Sequence, residues 1–572
     1  MAPRPGKALL LFVVSFAPFL LAAATTHSRV NPTRSPKLIL QITVDQLRGD
    51  MPTSVYDRLG EGGFKYLYEN GVVYENAHHR HANTETVVGH ATLATGADPA
   101  DHGMIANIWF DKELGRAVYN IEDDRYALIG EGGGVDKDNE MDPTQKVAGT
   151  DGRSPAAILT TTFSDELALR THGKAKIFGV SVKDRGAVPM AGHAGKAFWF
   201  SKAKGEFVTS TYYYDAYPGW VKAWNRKKLA LAYADTNWDL IHDRSTYTYG
   251  KFDDMPWETN LPGYGVVFPH PFGKADGKLF TSLLTVSPAG DELTLEFAKA
   301  LMVGEELGQD EIPDYLSISF SSTDYIGHIF GPGSLESEDN LLRLDKTLSE
   351  LLAFVDQQIG LDNTLIVLSA DHGAAEAPAQ LNEFGINARI FEADKLDKEK
   401  AIETIKAKYG IAEELVSGFE HPYLYLDHDV LRKHKLDVDE VSRTIAAELT
   451  TFDGVAYAVP SIDLIEGKMP DTRLYRQILR NFNPKRSGDI YLVLEPQWFV
   501  AEFEGLTVAS THGSPWRYDT FVPIIFSGNG LTARTVFREV QTVDIALTLS
   551  KYLRIKAPSG ATGAPLIEVL SQ

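Results

Sequence analysis

Leu38-Ile39-Leu40-Gln41-Ile42-Thr43-Val44 is, Gln41 apart, a run of aliphatic and β-branched residues that stops abruptly at Asp45. A strand this apolar has no solvent face, so it belongs in a sheet covered on both sides, the usual setting of parallel strands. Three further runs repeat the pattern: Ile177 to Val182 before Lys183, Leu316 to Phe320 before Asp324, and Thr364 to Leu368 before Asp371. Helical stretches separate them, which predicts an α/β fold with three layers, a mostly parallel central sheet and helices on both faces. Ligands of such folds bind beyond the carboxyl ends of the strands, where all four polar residues fall.

The chain has 572 residues, 44% of them hydrophobic and 23% charged, enough for a large core. Its net charge of −21 opposes non-specific binding to nucleic acid or anionic membrane. Any anionic substrate must then be met by metal ions or a few placed basic residues. There is no cysteine, which excludes disulfides, thiolate nucleophiles and Cys-ligated metal centres and leaves histidines and carboxylates as metal ligands. Arg4 and Lys7 precede an apolar run from Ala8 to Ala24 that Ser15 and Pro18 interrupt and that ends in Ala22-Ala23-Ala24. This is shorter than the ~20 residues a membrane span needs, so residues 1–24 read as a cleaved secretory signal. Residues 25–572 are then a periplasmic or secreted chain without a membrane anchor, and a monomer is the expected state.

Two stretches depart from the strand-and-helix alternation and read as insertions capping the sheet. Residues 200 to about 275 are rich in aromatics (Tyr212, Tyr213, Tyr214, Trp220, Trp224, Trp238, Trp257, Tyr264), expected to fill a small satellite core rather than touch a ligand. Residues 385 to about 480 mix helical stretches with short strands as a small α/β cap. The Gly-rich acidic segment 131–143 begins like a calcium loop at Asp136, Asp138 and Glu140. Met141 stands where that loop needs glycine and Val147 where it needs glutamate, so a solvated loop is expected.

Asp324 and His328 are four apart, so on a helix they share a face and can hold one metal. Asp45 and the pair Asp371-His372 each follow a strand, and His512 precedes the apolar run Val522 to Phe526. Singly each is an ordinary structural residue; as an ordered set they are specific. His78-His79-Arg80-His81 looks more metal-like, but neighbours in an extended segment point to opposite faces and Arg80 repels a cation. It is not expected to bind metal.

These residues resemble the alkaline phosphatase superfamily, most closely the phosphate-irrepressible bacterial alkaline phosphatases, neighbours of the nucleotide pyrophosphatase/phosphodiesterase group. The resemblance runs in order through Ile42 to Arg48, Asn83 to His90, His102 to Asn107, Lys183 to Ala187, the Asp324/His328 segment, Ala370 to Gly373 and Thr511 to Gly513. It implies the alkaline-phosphatase-like sandwich and two Zn2+ ions, one on Asp324, His328 and His512, the other on Asp45, Asp371 and His372, with the Thr86 oxygen bridging toward the second. It also implies Thr86 as nucleophile, a covalent phosphothreonine, and Asn107, Lys183 and Arg185 as the phosphate-binding set. Manganese, cobalt or iron suits similar ligands.

Elementary chemistry supports those roles. A threonine hydroxyl is a poor nucleophile unless a base or metal activates it. Thr86 is expected to open a helix, where backbone N–H groups favour phosphate. Thr84 competes for the role, and the family pattern takes the second threonine of the pair. Lys183 and Arg185, two apart in an extended segment, would project together onto non-bridging phosphoryl oxygens. A monoester dianion offers three such oxygens and a diester fewer, so the pair favours monoesters, with inorganic phosphate as product. The alternatives are a phosphodiesterase or nucleotide pyrophosphatase on the same scaffold, or a non-catalytic secreted protein that binds metal or glycan. A sulfatase is disfavoured, because its formylglycine cannot come from cysteine here and the residues after Thr86 lack the Pro and Arg spacing that modification requires.

Overall fold

The computed structural model describes Met1 and residues 35–138, 140–391, 400–500 and 508–571; the N-terminal signal reading lies outside the described residues, Met1 apart. Nine strands form one sheet in the order Arg534–Val536, Gly71–Tyr74, Ile524–Gly528, Thr364–Ser369, Leu38–Val44, Asp314–Phe320, Ile177–Ser181, Lys196–Ser201 and Glu206–Val208. Leu38–Val44 sits at its centre, fully buried and parallel to both neighbours. Ile524–Gly528 and the edge strand Glu206–Val208 run antiparallel to their neighbours. The expected α/β sandwich is therefore the fold, with antiparallel strands added on both sides of the parallel core.

Side chains alternate across the central strand. Leu38, Leu40, Ile42 and Val44 pack into the core beneath the long helices Pro288–Gly304 and Leu335–Gln358, whereas Ile39 joins the opposite core with Leu167, Leu549 and Val569. Helices Thr86–Thr95 and Asp184–Ala191 are buried along their whole length. That burial leaves room only for small side chains at some contacts. A Cβ on Gly89 would lie 2.0 Å from the Asp371 carbonyl oxygen, so the glycine lets the Thr86 helix approach the Asp371 backbone.

The aromatic stretch belongs to the main core, which differs from the satellite core expected. Trp224, Trp238, Tyr247, Tyr264 and Phe268 pack with the central sheet, and Phe207 stacks on Phe297 of the long helix Pro288–Gly304 at 4.2 Å. The reason is that residues 206–208 are themselves the sheet's edge strand, so the following chain wraps the same hydrophobic layer.

Within and just beyond residues 385–480 lies a four-stranded antiparallel sheet, Val416–Glu420, Tyr423–Leu426, Ile490–Leu494 and Val455–Pro460, whose third strand falls past the bound expected for the cap. Its period-two pattern gives it two different faces. Leu424, Leu426, Ile490 and Leu492 pack under helices Lys400–Tyr409 and Val438–Leu449, while Tyr423, Tyr425, Tyr491 and Val493 join the main body beside Ile105 and Trp109. The cap is thus fixed to the body by a tyrosine-rich face, close to the strand ends.

Candidate active site

Parallel register places the chemistry. Leu38–Val44 aligns Thr43 with Ser369 and Val44 with Phe320, so the residues that follow the three strands meet at one edge. Asp45, Asp371 and His372 bring ligand atoms within 4.8 Å of one another, as do Asp324, His372 and His512. His372 stacks on His512 at 3.6 Å and so stands between the two groups. His328 Nε2 lies 3.2 Å and His512 Nε2 3.4 Å from Asp324 Oδ1. The six residues singled out in the sequence are brought together, with His372 shared between the groups and His328 attached through Asp324.

The donor set fits divalent metal ions. His328 Nδ1 lies 2.8 Å from the Ser510 carbonyl, His372 Nδ1 3.0 Å from that of Gly373, and His512 Nδ1 2.7 Å from that of Thr84. A carbonyl only accepts, so each Nδ1 carries the proton and each Nε2 keeps its lone pair for a metal, the tautomer that ligating histidines adopt. Burial pushes the His372 imidazole down to about 3 and lowers His512 as well, keeping both neutral. Nitrogen and carboxylate donors without sulfur suit zinc.

Three buried carboxylates at one place need a counter-charge. Burial and the neighbouring Asp371 push Asp45 well up. Burial also opposes ionisation of Asp324 and Asp371, yet Asp324 lies well below and Asp371 below the usual carboxylate range, the Lys183 ammonium being the cation that favours both carboxylates. Lys183 Nζ lies 2.8 Å from Asp45 Oδ2 and donates to Asp324 Oδ2.

The expectation of an extended Lys183–Arg185 segment fails here. A helix begins at Asp184 with Lys183 as its cap, so the two cations leave the backbone in different directions. Lys183 is entirely buried among the carboxylates, whereas Arg185 lines the cavity above them and donates from Nη1 to Asp142 Oδ2 at 2.7 Å.

Thr86 opens its helix as expected, following Glu85 in extended conformation. Its hydroxyl is buried, without a hydrogen-bond partner among the described residues, and the residue lines a cavity of about 480 Å³ with Asn107, Arg185, Asp324, His328 and His512. Thr84 is engaged otherwise: its hydroxyl donates to the Ser514 carbonyl at 2.9 Å, and its own carbonyl orients His512. Asn107 accepts the Val87 N–H through Oδ1 at 3.0 Å, leaving its side-chain NH2 as the donor end available to a ligand.

Several residues at the site were not singled out in the sequence. Gln46 donates its backbone N–H to Asp371 Oδ1 at 3.1 Å and its side-chain Nε2 to Asp324 Oδ1 at 2.9 Å, at a φ of 68°. A non-glycine residue held there costs of order 1 kcal/mol. A Cβ on Gly327 would meet Gln46 Oε1 at 1.8 Å, which accounts for the glycine between Asp324 and His328. His90 places Nδ1 3.1 Å from Asp371 Oδ2 and Nε2 2.9 Å from the Ser319 hydroxyl. Tyr325 lies between the ammonium groups of Lys183 and Lys202, 4.6 and 4.9 Å from its ring centre, and donates its hydroxyl to Asp142 at 3.1 Å. Only the placement of Gln46 directly after the strand-ending Asp45 is a signal readable in sequence.

The segment 131–143 is solvated as expected at Glu131, Gly132 and Asp136 to Asp138, but not at Glu140 and Asp142. Glu140 and Asp142 are 8% and 4% exposed, because Lys202 pairs with the first and Arg185 with the second. Asp142→Ala is expected to lower activity on a phosphate monoester about 10- to 100-fold by freeing Arg185 from its one fixed orientation. Measured in a double-mutant cycle, it should cost nothing further in an Arg185→Ala background; additive losses would rule out this positioning role.

Within the histidine-rich stretch, His79 and Arg80 are engaged structurally. His79 Nε2 lies 3.0 Å from the Ala370 carbonyl and its Nδ1 3.0 Å from the Thr542 hydroxyl, while Arg80 forms a two-pronged pair with Asp98.

The profile of the family described as type I phosphodiesterase / nucleotide pyrophosphatase matches residues 39–515. Alkaline phosphatase PafA of Elizabethkingia meningoseptica is 33% identical over 95% of this chain and 96% of its own, and alkaline phosphatase PhoV of Synechococcus elongatus 34% over 94% and 93%. A Myroides odoratus protein named calcium-transporting ATPase is 35% identical over 94% of this chain and 95% of its own. The crystal structure of wild-type PafA superposes with a TM-score of 0.84 at 32% identity, covering 94% of this chain and 99% of that one.

Proposed function

We propose that this chain, which belongs to the type I phosphodiesterase / nucleotide pyrophosphatase family, is an alkaline phosphatase that hydrolyses phosphate monoesters through a phosphothreonine on Thr86. The observation that carries this reading is the unpartnered Thr86 hydroxyl in the same cavity wall as the Arg185 guanidinium. Thr86 attacks phosphorus, the ester P–O bond breaks and the alcohol departs; water then cleaves the phosphothreonine, releasing inorganic phosphate. Arg185 and the Asn107 amide, which line the cavity, hold non-bridging oxygens, where charge-assisted donors count most as the transition state forms, while Lys183 neutralises the carboxylates beneath. Asp45, Asp371 and His372, and Asp324, His328 and His512, would hold two Zn2+ ions. When bound, such ions stabilise the attacking and leaving oxygens of an in-line displacement. The names of the PafA and PhoV relatives support the monoesterase reading. The ATPase name of the Myroides relative is compatible with phosphate release from a nucleotide.

The deciding experiment is the ratio of kcat/KM for an aryl phosphate monoester to that for the matching diester, on protein of known zinc content. A ratio far above one supports the phosphatase; a ratio far below one assigns the phosphodiesterase activity of the family's description. Arg185→Ala should lower the monoester value at least ~100-fold and the diester value much less, since a diester has an esterified oxygen where the guanidinium would bind. Equal losses would count against the clamp. The basic residues before the apolar run 8–24 support export to the periplasm or beyond, and cleavage near Ala24 is read directly by N-terminal sequencing of the mature protein.

A further inference from the structure

The cap reaches the active site through a hairpin and through Val500 at the end of strand Trp498–Val500. Strands Val416–Glu420 and Tyr423–Leu426 pair up to Glu420 and Tyr423, so His421 and Pro422 form the tip. His421 places Nε2 3.1 Å from the Gly513 carbonyl, beside the ligand candidate His512, and this contact fixes the tip against the site. Glu420, His421 and Val500 are then the cap's contribution to the wall of the cavity that holds Thr86 and Arg185.

The carboxylates of that wall differ in how their charge is met. Asp324 is held by Gln46 and Lys183, and Asp142 by Arg185 and Tyr325, while Glu85 accepts the Asn107 N–H. Glu420 has no such partner among the described residues: burial alone pushes its carboxyl up to about 7, with no cation or hydrogen bond opposing. Above that pH it is a negative charge in the wall of the cavity that also holds Arg185 and Asn107, the donors that would take the phosphoryl group, and its nearest acidic neighbour in that wall is Glu85. Building on the monoesterase reading, we infer that Glu420 is a specificity-determining residue that favours phosphate monoesters with a cationic leaving alcohol, of the ω-aminoalkyl class, over those with an anionic one. An ammonium group near the partly desolvated carboxylate is attracted and a carboxylate repelled.

The test compares kcat/KM at pH 9 for 5-aminopentyl phosphate and for the phosphate ester of 5-hydroxypentanoate, with pentyl phosphate as the neutral reference. The native zinc-loaded protein should favour the cationic over the anionic ester by about 10-fold or more, the scale of one such charge contact. Glu420→Gln, which keeps the shape, should bring that ratio within about twofold of one, and Glu420→Lys should invert it. Because the chain's overall charge of −21 acts almost equally on all variants, a ratio unmoved by Glu420→Gln would overturn the inference while leaving the monoesterase reading intact. Failure of the native protein to turn over pentyl phosphate would overturn both.

Discussion

Thr86→Ala is expected to abolish covalent phosphorylation of the protein and to lower monoesterase kcat/KM at least ~10⁴-fold, the scale of losing an enzyme nucleophile. The sharper comparison is with Thr84→Ala. The Thr84 hydroxyl is bonded to the Ser514 carbonyl, and its contribution to the site is the backbone carbonyl that orients His512, which alanine retains. Thr84→Ala should therefore cost about 10-fold or less. Rapid acid quench with substrate carrying labelled phosphorus reads the difference directly: label on native protein and on Thr84→Ala, none on Thr86→Ala. Labelled Thr86→Ala protein, or equal losses in the two variants, would move the nucleophile elsewhere.

Lys183→Met is expected to affect stability in a metal-dependent way. Lys183 is the ammonium shared by Asp45 and Asp324, with Asp371 close by. Removing it leaves buried carboxylates without a cation, a change that typically costs about 3–5 kcal/mol. In protein stripped with chelator the melting temperature should fall markedly. Divalent cations supply positive charge at the same carboxylates, so zinc should restore most of the loss, and the gap in Tm between stripped and zinc-loaded protein should widen relative to native. Equal falls in both forms would mean that the side chain contributes packing only. Monoesterase kcat/KM of the zinc-loaded variant should still drop ~100-fold if the ammonium also meets the phosphoryl group.

How much of this could be read from sequence depended on the range of the interaction involved. Leu38–Val44 was legible as a buried strand because five of its seven residues are aliphatic, although Gln41 and Thr43, both buried, place polar groups on its second face. The ligand candidates Asp45 and Asp371 were legible for the same reason: each is the first charge after such a strand. Lys183 was misjudged in geometry because a strand ending and a helix beginning within two residues look alike in sequence, and only the cap at Lys183 separates them. Asp142 was misjudged because its segment is acidic and Gly-rich, a composition that signals solvent exposure unless a distant cation such as Arg185 buries it. Glu420 carried no sequence signal, since its meaning comes from the hairpin tip that fastens onto the Gly513 carbonyl.

The sequence by itself determined the layered α/β class, the cysteine-free choice of histidine and carboxylate ligands, and the identity of the residues gathered at the sheet edge. The class and the ligand chemistry follow from local hydrophobic runs and residue types written along the chain, whereas the grouping of the ligands and the roles of Thr86 and Asn107 are what the resemblance to the alkaline phosphatase superfamily implies. Tertiary structure alone decided that His372 stands between the two ligand groups, that Lys183 neutralises carboxylates while Arg185 faces the cavity, and that a cap hairpin supplies Glu420 to its wall. Those outcomes depend on distances between residues tens to hundreds of positions apart, set by the parallel register of the strands and by which face of the cap sheet packs on the body.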